Sequence, residues 1–244
     1  MKIDSDIALI LSGGLGLDLS DPFDCNAFAL RLGEQWVLFD AGAGCDPART
    51  ISVFERLGIR PAHLFLTHAH ADHSGATSLL RHEFGLQVWA GSATANLVEA
   101  GDESQIGLAR ARAAGVYPAD YAFRPCEIDH RLDDQQTVTI NGVAITVLMT
   151  PGHSADHVSF VVDLPGRRAL VAGDALFHGG HVAIQDIYDC NIGEVCNSVR
   201  KLASQEDISL FLPGHLAFSL QDGGRHAKAA MTYVEKFQCP PSII

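Results

Sequence analysis

The segment Thr67-His68-Ala69-His70-Ala71-Asp72-His73 constrains this chain more than any other part of it. Upstream, His63-Leu64-Phe65-Leu66-Thr67 has the length and apolarity of a buried strand. Downstream, Leu79, Leu80 and Phe84 give a helical pattern closed by Gly85. Three imidazoles and a carboxylate therefore crowd a strand-to-helix junction. Side chains two residues apart on extended backbone point the same way, so His68 and His70 converge on one position. Asp72 and His73, where the chain turns into the helix, address a neighbouring one. Histidines packed this densely repel one another when protonated, and a bound cation that keeps them neutral removes the conflict. Imidazole and carboxylate without thiolate suit zinc, iron or manganese.

Further ligands are expected from other strand ends, and three loops qualify. Thr150-Pro151-Gly152-His153 follows Val147-Leu148-Met149, Gly173-Asp174 follows Leu170-Val171-Ala172, and Pro213-Gly214-His215 follows Ile208 to Leu212. With the first cluster they supply five histidines and two aspartates, enough for two adjacent ions that share a bridging carboxylate.

The remaining pattern predicts mixed α and β structure. Strands are expected at Ile7 to Leu11, Ala27 to Leu32, Trp36 to Phe39 and Leu86 to Ala90. Two hairpins are expected. One joins Thr137–Ile140 to Val143–Met149 through Asn141-Gly142, and the other joins Val158–Val162 to Arg168–Ala172 through Pro165-Gly166. A helix should begin at Pro47, with Ile51, Phe54 and Leu57 on one face and Gly58 at its end. Residues 92 to 116 read as an alanine-rich helical stretch, and Val195–Leu202 and Ala227–Phe237 as late helices. The glycines of Ser12-Gly13-Gly14-Leu15-Gly16 precede no helical pattern and read as a turn. No repeat or linker-like tract marks a boundary, so residues 1–244 are expected to form one domain of two sheets with helices outside.

Composition enters mainly by exclusion. Seventeen basic against twenty-nine acidic residues, a formal charge of -12, disfavour a grip on nucleic acid or on an anionic membrane. No apolar run reaches membrane-spanning length. Six scattered cysteines lack the spacing of a disulfide framework and read as reduced thiols in a cytoplasmic protein. The absence of a Gly-x-Ser-x-Gly elbow argues against serine catalysis.

The HxHxDH motif with the three later loops resembles the metallo-β-lactamase superfamily, from about residue 26 to residue 220. The resemblance implies an α+β fold, the αβ/βα four-layer sandwich. It also implies two divalent metal ions, zinc foremost with manganese or iron as alternatives. His68, His70 and His153 would hold the first ion and Asp72, His73 and His215 the second, with Asp174 bridging. Asp40, in Phe39-Asp40-Ala41-Gly42, matches an acidic residue that orients a ligand histidine. His157 matches a recurrent histidine of structural type. The implied chemistry is hydrolysis by a metal-bridging hydroxide, with Asp72 as the catalytic carboxylate that holds the water and relays its proton.

The sequence around Asp174 looks most like the glyoxalase II and lactonase branches, which points to a small-molecule thioester or lactone. A mononuclear iron persulfide dioxygenase and a phosphodiester or β-lactam hydrolase are the alternatives. Asp174, where the familiar zinc β-lactamases have cysteine, tells against the β-lactam reading. His178, His181 and Tyr188, in the loop after Asp174, are the candidate substrate contacts. A homodimer is compatible with the sequence, which leaves the oligomeric state open.

Overall fold

The structure is a computed structural model and describes residues 1–243. The chain divides into two compact units, the first Met1–Leu132 and the second from Asp133 onward. No linker separates them in sequence, since the last strand of the first unit ends at Leu132 and the next strand begins at Thr137.

The first unit contains β1 (Ile7–Leu11), β2 (Ala27–Leu32), β3 (Gln35–Phe39), α1 (Pro47–Leu57), β4 (Pro61–Leu66), α2 (Ala71–Ser74), α3 (Thr77–Phe84), β5 (Gln87–Gly91), α4 (Ser92–Ala100), α5 (Leu108–Ala113) and β6 (His130–Leu132). Its six strands lie in sequence order, antiparallel from β1 to β3 and parallel from β3 to β6. Helix α1 starts as expected: Pro47 occupies its first turn and the Asp46 carboxylate accepts the Arg49 N–H at 3.0 Å, a cap worth about 1 kcal/mol. Val53 and Phe54 of α1, Leu80 of α3 and Val98 of α4 pack into one core with Ile10, Leu38, Leu64 and Val88 of the sheet.

The expected helical stretch 92–116 is interrupted. The Asp102 carboxylate accepts the N–H groups of Ser104 and Gln105 at 2.9 and 3.3 Å. Helix α4 ends just before, at Gly101, which caps it with a left-handed φ of 61°, and the stretch splits into α4 and α5. Strand β6 has no counterpart among the expected strands. Its three residues are too few to show a period.

The second unit contains β7 (Thr137–Ile140), β8 (Val143–Met149), β9 (Val158–Leu164), β10 (Arg167–Gly173), a 3-10 turn (His178–Gly180), α6 (Ile192–Ala203), β11 (Ile208–Pro213) and α7 (Arg225–Val234). Its sheet order is β11-β10-β9-β8-β7. Both expected hairpins form, with Ile140 opposite Val143 and Leu164 opposite Arg167. Helices α6 and α7 bring Val195, Val199, Leu202, Ala230 and Val234 onto Leu148, Val161, Leu170 and Phe211. The 3.6-residue spacing of those helical positions is what buries them together. Among the described residues, no helix is long and apolar enough to cross a membrane.

Candidate metal-ligand clusters

In the first unit, β3 and β4 run parallel with Phe39 opposite Phe65, so the residues that follow them emerge at the same sheet edge. Asp40 follows β3 and Thr67-His68 follow β4. The Asp40 N–H donates to the Phe65 carbonyl at 2.9 Å, and the Asp40 carboxylate is buried against the start of the histidine segment. It accepts the Thr67 N–H at 2.8 Å, the Thr67 hydroxyl at 2.9 Å and the His73 Nδ1–H at 2.8 Å.

These contacts determine the imidazole tautomers. A carboxylate only accepts, so the single Thr67 hydroxyl proton goes to Asp40. The Thr67 oxygen then accepts from His68 Nδ1, 2.9 Å away, which makes Nε2 the unprotonated nitrogen of His68. By the same logic His73 donates through Nδ1 and presents an unprotonated Nε2, 3.6 Å from Asp72 Oδ2. His68 Nε2 lies 3.1 Å from His70 Nδ1, and a cation accommodates two nitrogen donors turned toward each other. The donor chemistry of this cluster therefore fits a divalent metal ion.

Cys25, Asp40 and His73 also have ligand atoms within 4.8 Å of one another. They do not make a second cation site, because His73 Nδ1 is already committed to Asp40. Burial also pushes the Cys25 thiol up to about 12, which keeps it neutral. Cys25 instead ties its loop to the motif, its N–H donating to the Asp72 carbonyl at 3.2 Å. Asp24 fastens the same region, with Oδ1 accepting the Ala43 N–H at 2.9 Å.

In the second unit, β10 and β11 are parallel with Gly173 opposite Pro213. Strand β9 is antiparallel to both β10 and β8, so β8, β10 and β11 all end at one edge. That geometry brings His153, Asp174 and His215 together. Asp174 Oδ2 lies 3.6 Å from His153 Nε2 and 3.5 Å from His215 Nε2, and all three residues are buried. His157 acts on Asp174 through its backbone: Nε2 accepts the Asp174 N–H at 2.9 Å, so Nδ1 carries the proton and donates to Thr150 Oγ1 at 2.9 Å. Thr150 Oγ1 is 2.8 Å from Ser159 Oγ, which in turn reaches the Ala172 carbonyl at 3.2 Å.

The three candidate substrate contacts lie on a surface loop of the second unit. Tyr188 is 71% exposed and lines a cavity of ≈ 320 Å³ with Pro151, Gly152, Cys190 and Asn191. His178 is exposed and His181 half-buried, with His181 Nδ1 3.0 Å from the His178 carbonyl. The loop is held by a histidine that the sequence did not single out. His226 Nδ1 accepts the Gly179 N–H at 2.9 Å, so Nε2 carries the proton and donates to Ser219 Oγ at 2.8 Å. Burial, helped by the neighbouring His178 and Arg225, pulls its pKa down to about 4. Nothing in the alternating polar pattern around residue 226 distinguishes it from a surface histidine.

The family model described as the metallo-beta-lactamase superfamily matches residues 20–215. A probable metallo-hydrolase of Bacillus subtilis, YqgX, is 27% identical over 195 residues, 80% of this chain and 86% of that protein. A hydroxyacylglutathione hydrolase of Rhodopseudomonas palustris is 29% identical over 135 residues. That match takes in 55% of this chain and only 42% of the relative's length. A solved structure, TTHA1623 in a di-iron-bound form, superposes with a TM-score of 0.62 at 28% identity, covering 82% of this chain and 91% of that one.

Proposed function

Because this chain belongs to the metallo-β-lactamase superfamily and has its α+β fold, we propose that it is a binuclear metal-dependent hydrolase of a small thioester or lactone. By the family resemblance His68, His70 and His153 would hold one ion and Asp72, His73 and His215 the other, with Asp174 as a ligand they would share. The observation that carries this reading is the single oxygen of Asp174 poised at 3.6 and 3.5 Å from two imidazole nitrogens, the arrangement a bridging carboxylate requires. A relative solved in a di-iron-bound form is in keeping with two ions. Zinc is the metal we favour, since every donor is imidazole or carboxylate.

Two such ions supply Lewis-acid activation of water and of the scissile carbonyl. The chain's own groups do the rest. Asp40 holds His73 and, through Thr67, His68 in the tautomers that present Nε2. His157 fixes the backbone of Asp174. Asp72, beside His73 Nε2, orients the attacking water through its carboxylate and takes its proton. His178, His181 and Tyr188 contact the substrate from the loop after Asp174. The acyl–sulfur preference follows a relative whose name carries an acyl-glutathione substrate. The formal charge of -12 favours a small substrate over nucleic acid, and six free cysteines favour the cytoplasm.

The test is metal quantification on protein purified without added metal, followed by a panel of thioester, lactone, phosphodiester and β-lactam substrates. Two equivalents per chain with thioester or lactone turnover are expected, and Asp72→Ala should lower kcat at least about 100-fold. One iron per chain with oxygen consumption on a persulfide would overturn the reading, and so would full activity in Asp72→Ala.

A further inference from the structure

We propose that His226 is a positioning residue for substrate binding: it holds the 3-10 turn, and with it His178 and His181, in one setting. The chain enters this turn from the buried Phe177 and leaves it at Val182. The Val182 N–H donates to the Pro241 carbonyl at 3.0 Å, and its carbonyl accepts the Ile243 N–H at 2.9 Å, so the exit is fixed. Between those points the turn closes on itself. The Phe177 N–H donates to the His181 carbonyl at 2.8 Å, the Gly180 N–H to the Phe177 carbonyl at 3.1 Å and the His181 Nδ1–H to the His178 carbonyl at 3.0 Å. The Gly179 N–H instead donates out of the turn, to His226 Nδ1 at 2.9 Å.

His226 is itself anchored from the other side. It lies in the first turn of α7, whose Ala227, Ala230 and Val234 pack in the core of the second unit, and it is 1% exposed. Its Nε2–H donates to Ser219 Oγ at 2.8 Å. Ser219 is fixed to β11 by two backbone bonds with Phe211, at 2.8 and 2.9 Å. The rings of Phe211 and His178 each have their centroid 4.5 Å from that of His226. One imidazole therefore links the sheet to the turn through ring contacts as well as through both nitrogens. Close approach completes the seat. Gly180 has φ at 84°, and a Cβ placed on it would lie 2.6 Å from the Ala230 nitrogen, so the turn rests directly on the α7 backbone.

An acceptor at Nδ1 requires a neutral ring. Burial, then the neighbouring His178 and Arg225, hold the His226 pKa down at about 4 against the opposing Asp222 carboxylate, so the bond to Gly179 persists across the neutral range. With Nδ1 committed to the His178 carbonyl, the neutral ring of His181 offers Nε2 as an acceptor, suited to an O–H or N–H of a substrate. A binding surface held in its bound setting avoids the ordering cost that a loose loop incurs. His226 should therefore act on substrate affinity and leave the chemical step alone. That consequence rests on the reading of His178 and His181 as substrate contacts of a hydrolase; the hold on the turn does not.

The experiment compares the full chain with His226→Phe, which keeps a buried aromatic ring without its nitrogens, and with His226→Asn, whose amide oxygen can accept the Gly179 N–H. In His226→Phe, amide exchange at Gly179 should accelerate at least about tenfold. KM for a hydroxyacylglutathione thioester should rise about tenfold with kcat within about twofold of wild type. His226→Asn should recover most of both losses. Ser219→Ala, which leaves the imidazole but unties it from β11, should shift both in the same direction, so the test survives a His226→Phe chain that does not fold. Unchanged exchange at Gly179 in His226→Phe and Ser219→Ala would overturn the hold. Faster exchange with an unchanged KM, while His178→Ala and His181→Ala raise KM, would overturn the positioning role and leave the substrate contacts standing. An unchanged KM in His226→Phe, His178→Ala and His181→Ala alike would fell the contacts and the positioning role together. Exchange at Gly179 needs no substrate, so absence of turnover by the wild type would count against the hydrolase reading while the exchange still decides the hold.

Discussion

At the scale of single residues, Asp40 carries the heaviest obligation, since one carboxylate accepts from the backbone and hydroxyl of Thr67 and from the ring of His73. It does so with φ at 61°, a left-handed conformation that Asp and Asn tolerate better than other non-glycine residues. Asp40→Asn keeps that backbone and the shape but loses the charge that fixes the imidazoles. Metal affinity, measured by competition with a chromogenic chelator, should fall about 10- to 100-fold. Asp40→Ala should lose as much affinity and also unfold at lower urea concentration, because Thr67 then has no acceptor.

His226 permits a second prediction. Its folded pKa of about 4 lies below the ordinary 6.5, so between those values the unfolded chain takes up a proton that the folded chain refuses. The stability linked to this group is complete above about pH 6.5 and is lost as pH falls towards 4. Urea midpoints measured across that window should decline less steeply in His226→Gln than in wild type. Equal slopes would show that the group is not held neutral.

At the scale of elements, the loop between β8 and β9 is pinned against the start of α6 by close approach. Gly152 has φ at 140°, and a Cβ placed on it would lie 2.5 Å from the backbone nitrogen of Val195. Strain and overpacking therefore add in Gly152→Ala, with an expected loss of about 3 kcal/mol or more in urea denaturation. Gly166, at the tip of the β9–β10 hairpin, has φ at 71° but open space around it, so Gly166→Ala should cost only about 1 kcal/mol. Asn191 caps α6 by accepting the Glu194 N–H at 3.1 Å, and Asn191→Ala should also cost about 1 kcal/mol. Similar losses for Gly152→Ala and Gly166→Ala would mean that α6 moves aside freely.

At the scale of the molecule, acidic residues outnumber basic ones by enough to leave a formal charge of -12, and the proposed divalent cations would relieve part of that self-repulsion. An ion that binds only the folded chain at 100 times its dissociation constant adds about 2.7 kcal/mol of stability. Dialysis against a strong chelator should therefore lower Tm, and zinc or manganese should restore it. The restoration should disappear in a variant with His68, His153 and His215 replaced by alanine. Chelation without a change in Tm would mean that the ligand clusters hold no ion in solution.

The strands other than β6, both hairpins and the start of α1 were legible in the sequence because short-range rules set them: period two, Asn-Gly and Pro-Gly turns, a proline behind an aspartate cap. The family, too, was legible, through candidate ligands compressed into six residues at one strand-to-helix junction. The break between α4 and α5 was not, since Gly101 and the Asp102 turn after it outweighed the alanine pattern around them. Nor were the roles of Thr67, Asp24 and His226. Each of these depends on which strand ends and helix faces arrive at the same place. Parallel pairing of β3 with β4 aligns Asp40 with Thr67, and parallel pairing of β10 with β11 aligns Asp174 with His215. The sequence by itself determined which atoms are available to bind a cation. Only the tertiary structure decided which nitrogen of each buried imidazole faces its neighbour, because that depends on hydrogen-bond partners far away along the chain.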